Sequence, residues 1–330
     1  MVIFLPIEPL DMRYSTQWSN YFKQEFKNHN IDYISLEPQT LTNKIESGAF
    51  LDVCGTIYYK SFQLALLAEM IHSKQIKNGD IIFLHDIWFP GLEAVSYMRD
   101  ALDLDIKIVG CLHAGTYDSS DFISKKRMGI WGKDLENSWF KLVDKVFVGS
   151  EYHRNLVLKN RKILENKIIN TGFPIYWDRK PDNKKENIVI FPNRLSSDKC
   201  PDLFDKLSKR FKNSGWTFIK TQALNLTKEA YYDLLQRAKV AVSFSKHENF
   251  GIAMREALFS GCVPIVPDRL CYLEFFDLHF RYSNYADCIE LVQHGMTNYE
   301  YYKEKLQNNS RRLQKMGREA IDNMILEMKS

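Results

Sequence analysis

Short apolar runs alternate with longer segments of helical periodicity along the first half of the chain. The apolar runs predict six β-strands, at Val2–Ile7, Ile31–Leu36, Asp80–His85, Lys107–His113, Lys145–Gly149 and Lys167–Thr171. The intervening segments predict helices, at Arg13–His29, Phe62–Ser73, Gly91–Ala101 and from the N-cap residue Ser150 to Asn160. Apolar strands separated by helices are typical of a parallel sheet covered on both faces.

A polar, charged segment interrupts this alternation, which then starts again. Residues 177–187 carry many charges and a proline, and they are predicted to form an interdomain linker. Further strands are predicted at Ile188–Phe191, Trp216–Lys220, Val240–Phe244 and Cys262–Val266, and further helices at Pro201–Asn213, Thr227–Ala238, Gly251–Ser260 and Tyr299–Met328. The pattern predicts an α/β protein with two Rossmann-like, doubly wound domains, at residues 1–176 and 188–299.

Composition agrees with this class and excludes several others. The chain has 330 residues, 45% of them hydrophobic and 26% charged, which fits two globular domains. The charge at Glu8 argues against a signal peptide, and the lack of long apolar runs argues against a membrane span. The net charge of +4 does not by itself indicate nucleic-acid binding. The cysteines are scattered along the chain and are predicted to be free thiols, which indicates a reducing compartment such as the cytoplasm. They are Cys54, Cys111, Cys200, Cys262, Cys271 and Cys288.

The strongest local motif follows the predicted strand Val240–Phe244. Glu248-Asn249-Phe250-Gly251 comes directly before a predicted helix, whose N-terminal N–H groups suit phosphate or sugar oxygens. Glu256 falls in the second turn of that helix and could accept hydrogen bonds from two vicinal hydroxyls, such as those of a ribose. Two solvated surface carboxylates are the alternative interpretation.

A second motif follows the strand Ile188–Phe191. Arg194 and Lys199 flank a short loop at its carboxyl end, where two cations can hold a diphosphate. An arginine and a lysine five positions apart are common in proteins, so this motif indicates a diphosphate site only in combination with the glutamate motif.

Together the two motifs resemble those of retaining, GT-B-fold nucleotide-sugar glycosyltransferases of family 4. That family pairs a Gly-Arg-Leu…Lys loop with two glutamates separated by seven residues, the spacing of Glu248 and Glu256. The resemblance covers most of residues 80–275. It implies a GT-B architecture with two Rossmann-like domains facing a central cleft, an acceptor-binding N-terminal domain, a nucleotide-sugar-binding C-terminal domain, and a C-terminal helix at about 300–330 that crosses back to the first domain.

The resemblance also implies roles for the motif residues. Arg194 and Lys199 would hold the diphosphate of a UDP-linked donor, and Glu256 would bind its ribose. Glu248 would contact the transferred sugar beside the backbone amides of Asn249, Phe250 and Gly251. The expected reaction retains the anomeric configuration and uses no metal and no cofactor, the nucleotide-sugar being a co-substrate.

In the first domain, His113 matches the active-site histidine of the family at the end of a predicted strand, although a structural role is the alternative. His85 and Asp86 end the preceding strand and could line the same cleft, or be structural. The chain departs from the family pattern where Asn193 and Cys200 replace glycines, and where residues 5–10 replace a glycine-rich loop.

The acceptor is indicated by two weaker features. The opening Pro6–Trp18 resembles glycosyltransferases of tailed bacteriophages, some of which modify hydroxymethylcytosine in DNA. Asp118–Trp139 is predicted as a loop-like insertion in which cations alternate with aromatic residues, a composition that suits a phosphate backbone and an exposed base. The predicted acceptor-binding residues are His85, Asp86, Tyr117, Lys125, Lys126, Arg127 and Trp131.

Other interpretations stay open at this level. The insertion could be a mobile loop with a solvated basic run. A polysaccharide or lipid acceptor is the alternative to double-stranded DNA, although the helix Arg13–His29 has few cations for a membrane surface. A non-catalytic nucleotide-sugar-binding module is the alternative of another class.

Overall fold

The structure, a computed structural model, describes residues 1–10, 14–41, 52–121, 123–177 and 184–330. The chain divides into two compact units. Unit 1 comprises Met1–Pro174 and Glu319–Ser330, and unit 2 comprises Ile175–Arg318. Arg13 of the first predicted helix, residues 11–13 of the opening segment and residues 178–183 of the predicted linker lie outside the described residues.

Unit 1 contains a six-stranded parallel sheet with the order β2-β1-β3-β4-β5-β6. Its strands are β1 (Val2–Leu5), β2 (Tyr33–Ser35), β3 (Ile81–Leu84), β4 (Lys107–Cys111), β5 (Lys145–Val148) and β6 (Ile168–Asn170). The central strands are almost wholly buried, since helices cover both faces. The strand order reverses between β1 and β3, and a crevice for ligands forms at the carboxyl ends of strands at such a point.

The helices of unit 1 correct two predictions. They are α1 (Tyr14–Asn28), α2 (Val53–His72), α3 (Leu92–Ala101), α4 (Met128–Leu142) and α5 (Glu151–Asn160). Helix α2 begins at Val53, well before the predicted start at Phe62. Its first turns were missed because they expose the apolar Val53 and bury the polar Thr56 and Lys60, the reverse of the pattern expected for a helix that packs on a core. The insertion Asp118–Trp139 is not loop-like throughout, since α4 occupies its second half.

Unit 2 contains a five-stranded parallel sheet with the order β11-β10-β9-β7-β8. Its strands are β7 (Glu186–Phe191), β8 (Thr217–Lys220), β9 (Ala238–Val242), β10 (Val263–Pro267) and β11 (Arg281–Tyr282). The strand order reverses between β7 and β9. The two predicted motifs follow these same two strands, so the topology brings them to one place in the unit.

Unit 2 includes two helices and one strand that the periodicity did not predict. The helices are α6 (Pro201–Arg210), α7 (Lys228–Arg237), α8 (Ile252–Phe259), α9 (Tyr272–Phe275), α10 (Tyr285–Thr297) and α11 (Tyr299–Lys329). The elements α9 and β11 were missed because four- and two-residue elements are too short to establish a period. The 13-residue helix α10 was not predicted either. The two parallel-sheet α/β units confirm the predicted fold class.

The long helix α11 belongs to both units, Tyr299–Arg318 to unit 2 and the remainder to unit 1. In unit 1 its last turns bury Ile321, Met324 and Ile325, and Glu327 Oε2 accepts a hydrogen bond from Lys145 Nζ at 2.7 Å. No helix in the described part of the chain is both long and apolar enough to cross a membrane.

The predicted linker 177–187 is described only at its two ends. Trp177 is buried and packs edge-on against Tyr232, with ring centroids 4.3 Å apart. Lys185 reaches backbone carbonyls at the ends of two helices, Ala238 O at 2.8 Å and Ser260 O at 2.7 Å. Both ends are therefore bound to unit 2.

Candidate functional site

The donor motifs meet at the carboxyl ends of β7 and β9 through an ion pair. Lys199 Nζ lies 3.1 Å from Glu248 Oε2 and 3.6 Å from Asp198 Oδ2, and it also donates to the carbonyl of His247. The Lys199 side chain is 7% exposed and that of Glu248 19% exposed. The predicted diphosphate cation and the predicted sugar-binding carboxylate are thus direct neighbours.

The Glu248 carboxylate is held in its charged form. Burial by itself would raise the pKa of Glu248, but the Lys199 charge and the Gly251 N–H lower it below its ordinary value. The Gly251 N–H donates to Oε1 at 3.0 Å. Both oxygens of the carboxylate therefore face positive charge or a donor, and the group is anionic at neutral pH.

Backbone conformation explains the turn before α8. Gly251 is the residue preceding α8 and has a φ of +72°, a conformation that costs other residues energy. A β-carbon there would also lie 3.2 Å from the ring of Tyr272. The glycine thereby lets the Glu248–Phe250 segment turn back over the start of the helix.

Two of the three departures from the family pattern, Asn193 and Cys200, have structural accounts. Cys200, in place of a glycine, adopts a positive φ of +52° just before α6. Asn193, in place of the other glycine, is buried and donates from Nδ2 to Ser243 Oγ at 2.9 Å. The Asn193 side chain therefore ties the loop after β7 to the end of β9.

Arg194 is exposed at the surface of the same loop. The backbone N–H of the next residue, Leu195, donates to Gln222 Oε1 at 2.5 Å. Burial would raise the pKa of Asp198, but Ser196, Lys199 and Arg194 lower it overall. The two cations of this loop thus lie close enough to the Asp198 carboxylate to stabilise its charged form.

The remaining residues of the glutamate motif are packed against a buried cation. Asn249 and Phe250 are both buried. The Arg255 guanidinium lies 4.2 Å from the Phe250 ring centroid, and burial lowers its pKa to about 9. Sequence reasoning missed Arg255, which the alternation of apolar positions gives no reason to bury.

Glu256 contacts a different set of side chains, all from α7. Its carboxylate accepts from Tyr232 OH at 3.0 Å, Tyr231 OH at 3.1 Å and Lys228 Nζ at 3.2 Å. The carboxylate is therefore held in place by three donors from one helix. The sequence carried no signal for these partners beyond the predicted helix itself.

In unit 1, His113 lies at the end of β4 inside an aromatic cluster. Its ring stacks on Phe173 with centroids 5.1 Å apart. Its Nε2 lies 2.7 Å from the His85 carbonyl oxygen and its Nδ1 3.3 Å from Tyr14 OH. Burial lowers the pKa of His113, partly offset by Asp86.

The two residues that end β3 have different environments. His85 is fully buried, burial holds its pKa well below the ordinary value, and its Nδ1 accepts from the Ile7 N–H at 3.4 Å. Asp86 Oδ2 pairs with Lys60 Nζ at 3.0 Å. The His85 side chain thus packs as part of the core, and Lys60 is an ionic neighbour that sequence reasoning missed.

The loop after His113 is held by a buried ion pair. Glu136 Oε2 accepts from Arg161 Nε at 2.6 Å, and Glu136 Oε1 accepts from the Thr116 N–H at 2.5 Å. Gly115 allows this approach, because a β-carbon there would lie 2.5 Å from Glu136 Oε1. Tyr117 is buried beside this pair, with its hydroxyl 2.5 Å from His153 Nε2.

The basic and aromatic residues of the insertion form an exposed surface, which we call the α4 patch. It comprises Lys125, Lys126, Arg127, Ile130, Trp131 and Lys133, all exposed. Trp131 is 49% exposed and Ile130 81% exposed. Trp139, by contrast, is buried against Trp88 with ring centroids 5.2 Å apart.

In the described part of the chain, one cluster has the groups and spacing for a metal ion, namely Glu25, His29 and Asp322. It shares no residue with the predicted donor or acceptor sites.

No family model matches the chain. A tRNA-queuosine alpha-mannosyltransferase of Drosophila melanogaster is 36% identical over 128 residues, which make up 36% of this chain and 34% of the relative. The chain thus matches over about a third of the length of this curated relative.

Solved structures resemble nearly the whole chain. A UDP-forming α,α-trehalose-phosphate synthase from Burkholderia vietnamiensis has a TM-score of 0.66 at 11% identity, over 99% of this chain and 98% of its own. A TarM mutant from S. aureus, in complex with UDP among other ligands, has a TM-score of 0.58 at 16% identity, over 82% of this chain and 59% of its own. These likenesses show that the chain has the GT-B fold of such glycosyltransferases.

Proposed function

We propose that this chain is a glycosyltransferase that moves a sugar from a UDP-linked donor to a hydroxyl group. The observation that carries the proposal is the contact between Lys199 and Glu248 at the strand-order reversal of unit 2, beside exposed Arg194. The UDP in the TarM complex and the UDP-forming synthase support the same donor class, and the mannosyltransferase relative supports sugar transfer.

The proposed reaction breaks the bond between the anomeric carbon and the diphosphate oxygen. Arg194 and Lys199 stabilise the charge that develops on the leaving diphosphate, so the reaction needs no metal ion. The acceptor hydroxyl attacks from the face that the diphosphate leaves, which retains the configuration, and its proton passes to a leaving phosphate oxygen. Glu248 orients the transferred sugar, and Glu256 binds the ribose.

The proposed acceptor is a hydroxyl on a modified base of a nucleic acid. The exposed cations and Trp131 of the α4 patch support it, since cations bind phosphates and an indole stacks on bases. The relative that acts on tRNA-queuosine supports the same class of acceptor. Hydroxymethylcytosine in duplex DNA is the specific prediction, drawn from the opening segment Pro6–Trp18. Six free cysteines fit a reducing, cytoplasmic location.

The test is direct transfer. The chain is incubated with UDP-hexoses and UDP-pentoses and with three acceptors: duplex DNA containing 5-hydroxymethylcytosine, the same duplex with cytosine, and tRNA containing queuosine. The nucleic acids are digested and the nucleoside masses read. We expect a hexose or pentose mass on hydroxymethylcytosine and none on cytosine.

The other outcomes separate the parts of the proposal. A sugar mass on queuosine moves the acceptor to RNA. UDP-sugar binding without any nucleoside product overturns the nucleic-acid acceptor and leaves a polysaccharide or lipid. A Lys199→Ala variant that retains binding and loses turnover supports an enzyme, whereas a wild-type chain that binds donor and transfers to no acceptor supports a binding module.

A further inference from the structure

A buried hydroxyl directly after β9 contacts four polar groups of unit 2. Ser243 Oγ lies 2.9 Å from Asn193 Nδ2, 3.0 Å from Ser245 Oγ and 2.9 Å from Tyr272 OH, and the Ser245 N–H donates to it at 3.3 Å. All four side chains are buried, and we call them the Ser243 network. They come from three segments of the chain, the loop after β7, the loop after β9 and the start of α9.

The Ser243 network is complete without a ligand. A hydroxyl can donate one hydrogen bond and accept two, so contacts with four groups use the whole capacity of Ser243 Oγ. The side chains of Ser243, Ser245 and Tyr272 lie in residues with no exposed surface. A bound donor would therefore leave these three side chains in the protein interior.

The network lies beneath both predicted donor motifs. Asn193 directly precedes Arg194, and Ser245 comes three residues before Glu248. The ring of Tyr272 packs against the glycine that ends the Glu248 turn, since a β-carbon on that glycine would lie 3.2 Å from the ring. The same buried hydroxyl thus connects the loop of the predicted diphosphate cations with the turn of the predicted sugar-binding carboxylate.

Two further contacts join the same loops. The Lys246 N–H donates to the Asp198 carbonyl oxygen at 2.8 Å, and Lys199 Nζ pairs with Glu248 at 3.1 Å. The ion pair uses groups that are predicted to bind the donor, so a diphosphate held by Lys199 would compete with Glu248 for its ammonium. The buried contact between Asn193 and Ser243 involves neither group and would persist when the donor binds.

We propose that Asn193 is a positioning residue for the donor diphosphate. Through Ser243 it holds the loop of Arg194 and Lys199 in place beside the Glu248 turn, before and after the donor binds. The glycine at this position in the family that the chain resembles has no side chain for such a contact. This inference rests on the proposed transfer from a UDP-linked donor.

Binding measurements separate positioning of the diphosphate from a general loss of structure. Calorimetric titrations compare UDP with uridine, which has no phosphate. Asn193→Ala should raise the Kd for UDP about tenfold, the effect of one lost hydrogen bond, and should leave the Kd for uridine unchanged. An unchanged Kd for UDP, or equal losses for UDP and uridine, would overturn the positioning role.

Tyr299→Phe is the matched control for this experiment. It also removes a side-chain hydrogen bond within unit 2, from Tyr299 OH to the Gly261 carbonyl oxygen at 2.7 Å. Gly261 precedes β10 and lies at the amino end of that strand, whereas the donor motifs lie at the carboxyl ends of β7 and β9. Tyr299→Phe should therefore bind UDP and uridine as the wild type does.

A double-mutant cycle tests whether Asn193 acts through Ser243. The Kd for UDP is measured in Asn193→Ala, in Ser243→Ala and in the variant with both changes. Residues in direct contact have coupled effects, so the double variant should lose less affinity than the product of the two single losses. A loss equal to that product would show that Asn193 acts by another route and would overturn the inference.

Amide hydrogen exchange tests the contact without a ligand. In Asn193→Ala, peptides that cover residues 193–199 should exchange faster than in the wild type, whereas peptides of α10 should exchange equally. If the wild type binds no UDP, the proposed function fails and the positioning role fails with it, while exchange still decides whether Asn193 holds the loop. If the wild type binds UDP and exchange of the loop is unchanged in Asn193→Ala, the positioning role alone is overturned. Thermal unfolding of each variant verifies that the fold is retained.

Discussion

At the residue scale, the two predicted diphosphate cations have different environments. Lys199 is enclosed by carboxylates and the His247 carbonyl, whereas Arg194 is exposed in the same loop. The Arg194 side chain therefore reaches solvent, and a guanidinium binds phosphate oxygens in pairs. Removing Lys199 would leave Glu248 without its ion-pair partner and would affect stability as well as binding.

Replacing Arg194 should therefore affect chemistry more than folding. Arg194→Ala should lower kcat at least about a hundredfold, because it removes roughly 2–4 kcal/mol of stabilisation from the leaving diphosphate. The measurement is steady-state transfer with saturating donor. Lys246→Ala removes an exposed cation of the neighbouring loop and is the matched control. An Arg194→Ala variant with wild-type kcat would exclude Arg194 from the reaction.

Glu256 permits a prediction about binding. Glu256→Gln should weaken UDP binding about 10- to 100-fold, because a hydrogen bond to a charged group contributes about 1.5–3 kcal/mol and the new amide would oppose the Tyr231 and Lys228 donors. Calorimetric titration with UDP measures the effect. Glu229→Gln, on exposed α7 surface, should bind as the wild type does. Equal affinities in the two variants would contradict the ribose role.

At the element scale, a histidine follows each of β3 and β4: His85 is fully buried and His113 is half-buried. The pKa values of both His85 and His113 are lowered by burial. The unfolded chain therefore binds more protons than the folded chain as the pH falls below the ordinary value of 6.5, and stability is lost over that range. Above pH 6.5 these groups contribute their full effect.

This predicts acid-sensitive folding of unit 1. The free energy of unfolding should decrease as the pH falls from 6.5, and His85→Leu should show a smaller decrease, since one of the two proton-binding groups is gone. Urea unfolding at several pH values measures the slope. His72→Gln changes an exposed histidine and should keep the wild-type slope. The same slope in His85→Leu would show that His85 does not cause the acid sensitivity.

Element prediction succeeded where burial and periodicity agree. The strands β1 and β3 are apolar throughout, and β4 and β5 have no charged residue after an initial lysine; all four were predicted close to their bounds. The start of α2 was missed because it buries Lys60, which pairs with Asp86. Helix α4 was interpreted as a loop because a basic run precedes it and its first five residues include Gly129 and Gly132. In both cases such local features obscured the hydrophobic pattern.

At the scale of the whole molecule, α11 is the one described helix that contributes to both units. Its last turns bury Ile321, Met324, Ile325 and Met328 in unit 1. Each such side chain contributes roughly 1.5–3 kcal/mol when fully buried. The integrity of unit 1 thus depends on residues at the far end of the chain.

Deleting residues 319–330 should lower the melting temperature of unit 1 markedly, while donor binding by unit 2 is retained. Differential scanning calorimetry and UDP titration on the same preparation measure the two effects. Leu326→Ser, at a position that is 68% exposed on the same turns, is the control and should melt as the wild type does. An unchanged melting profile after the deletion would contradict the packing role.

The sequence by itself determined the fold class and the positions of the two motifs that are predicted to bind the donor. Apolar strands that alternate with helices are typical of parallel sheets with both faces covered. A short motif that directly follows such a strand lies at the carboxyl end of that strand, so its place in the sheet can be predicted from the sequence. Thus Arg194, Lys199, Glu248 and Glu256 were identified, and the structure places them after β7, after β9 and in α8.

Only the tertiary structure decided which partners these groups have. Lys60 with Asp86, Glu136 with Arg161, Glu256 with α7, and Tyr14 with His113 are separated by at least 24 residues in sequence. Such pairs leave no local periodicity, because they depend on which strands become neighbours. The surroundings of His113 were decided in the same way, since the His85 carbonyl oxygen, directly after β3, lies 2.7 Å from His113 Nε2.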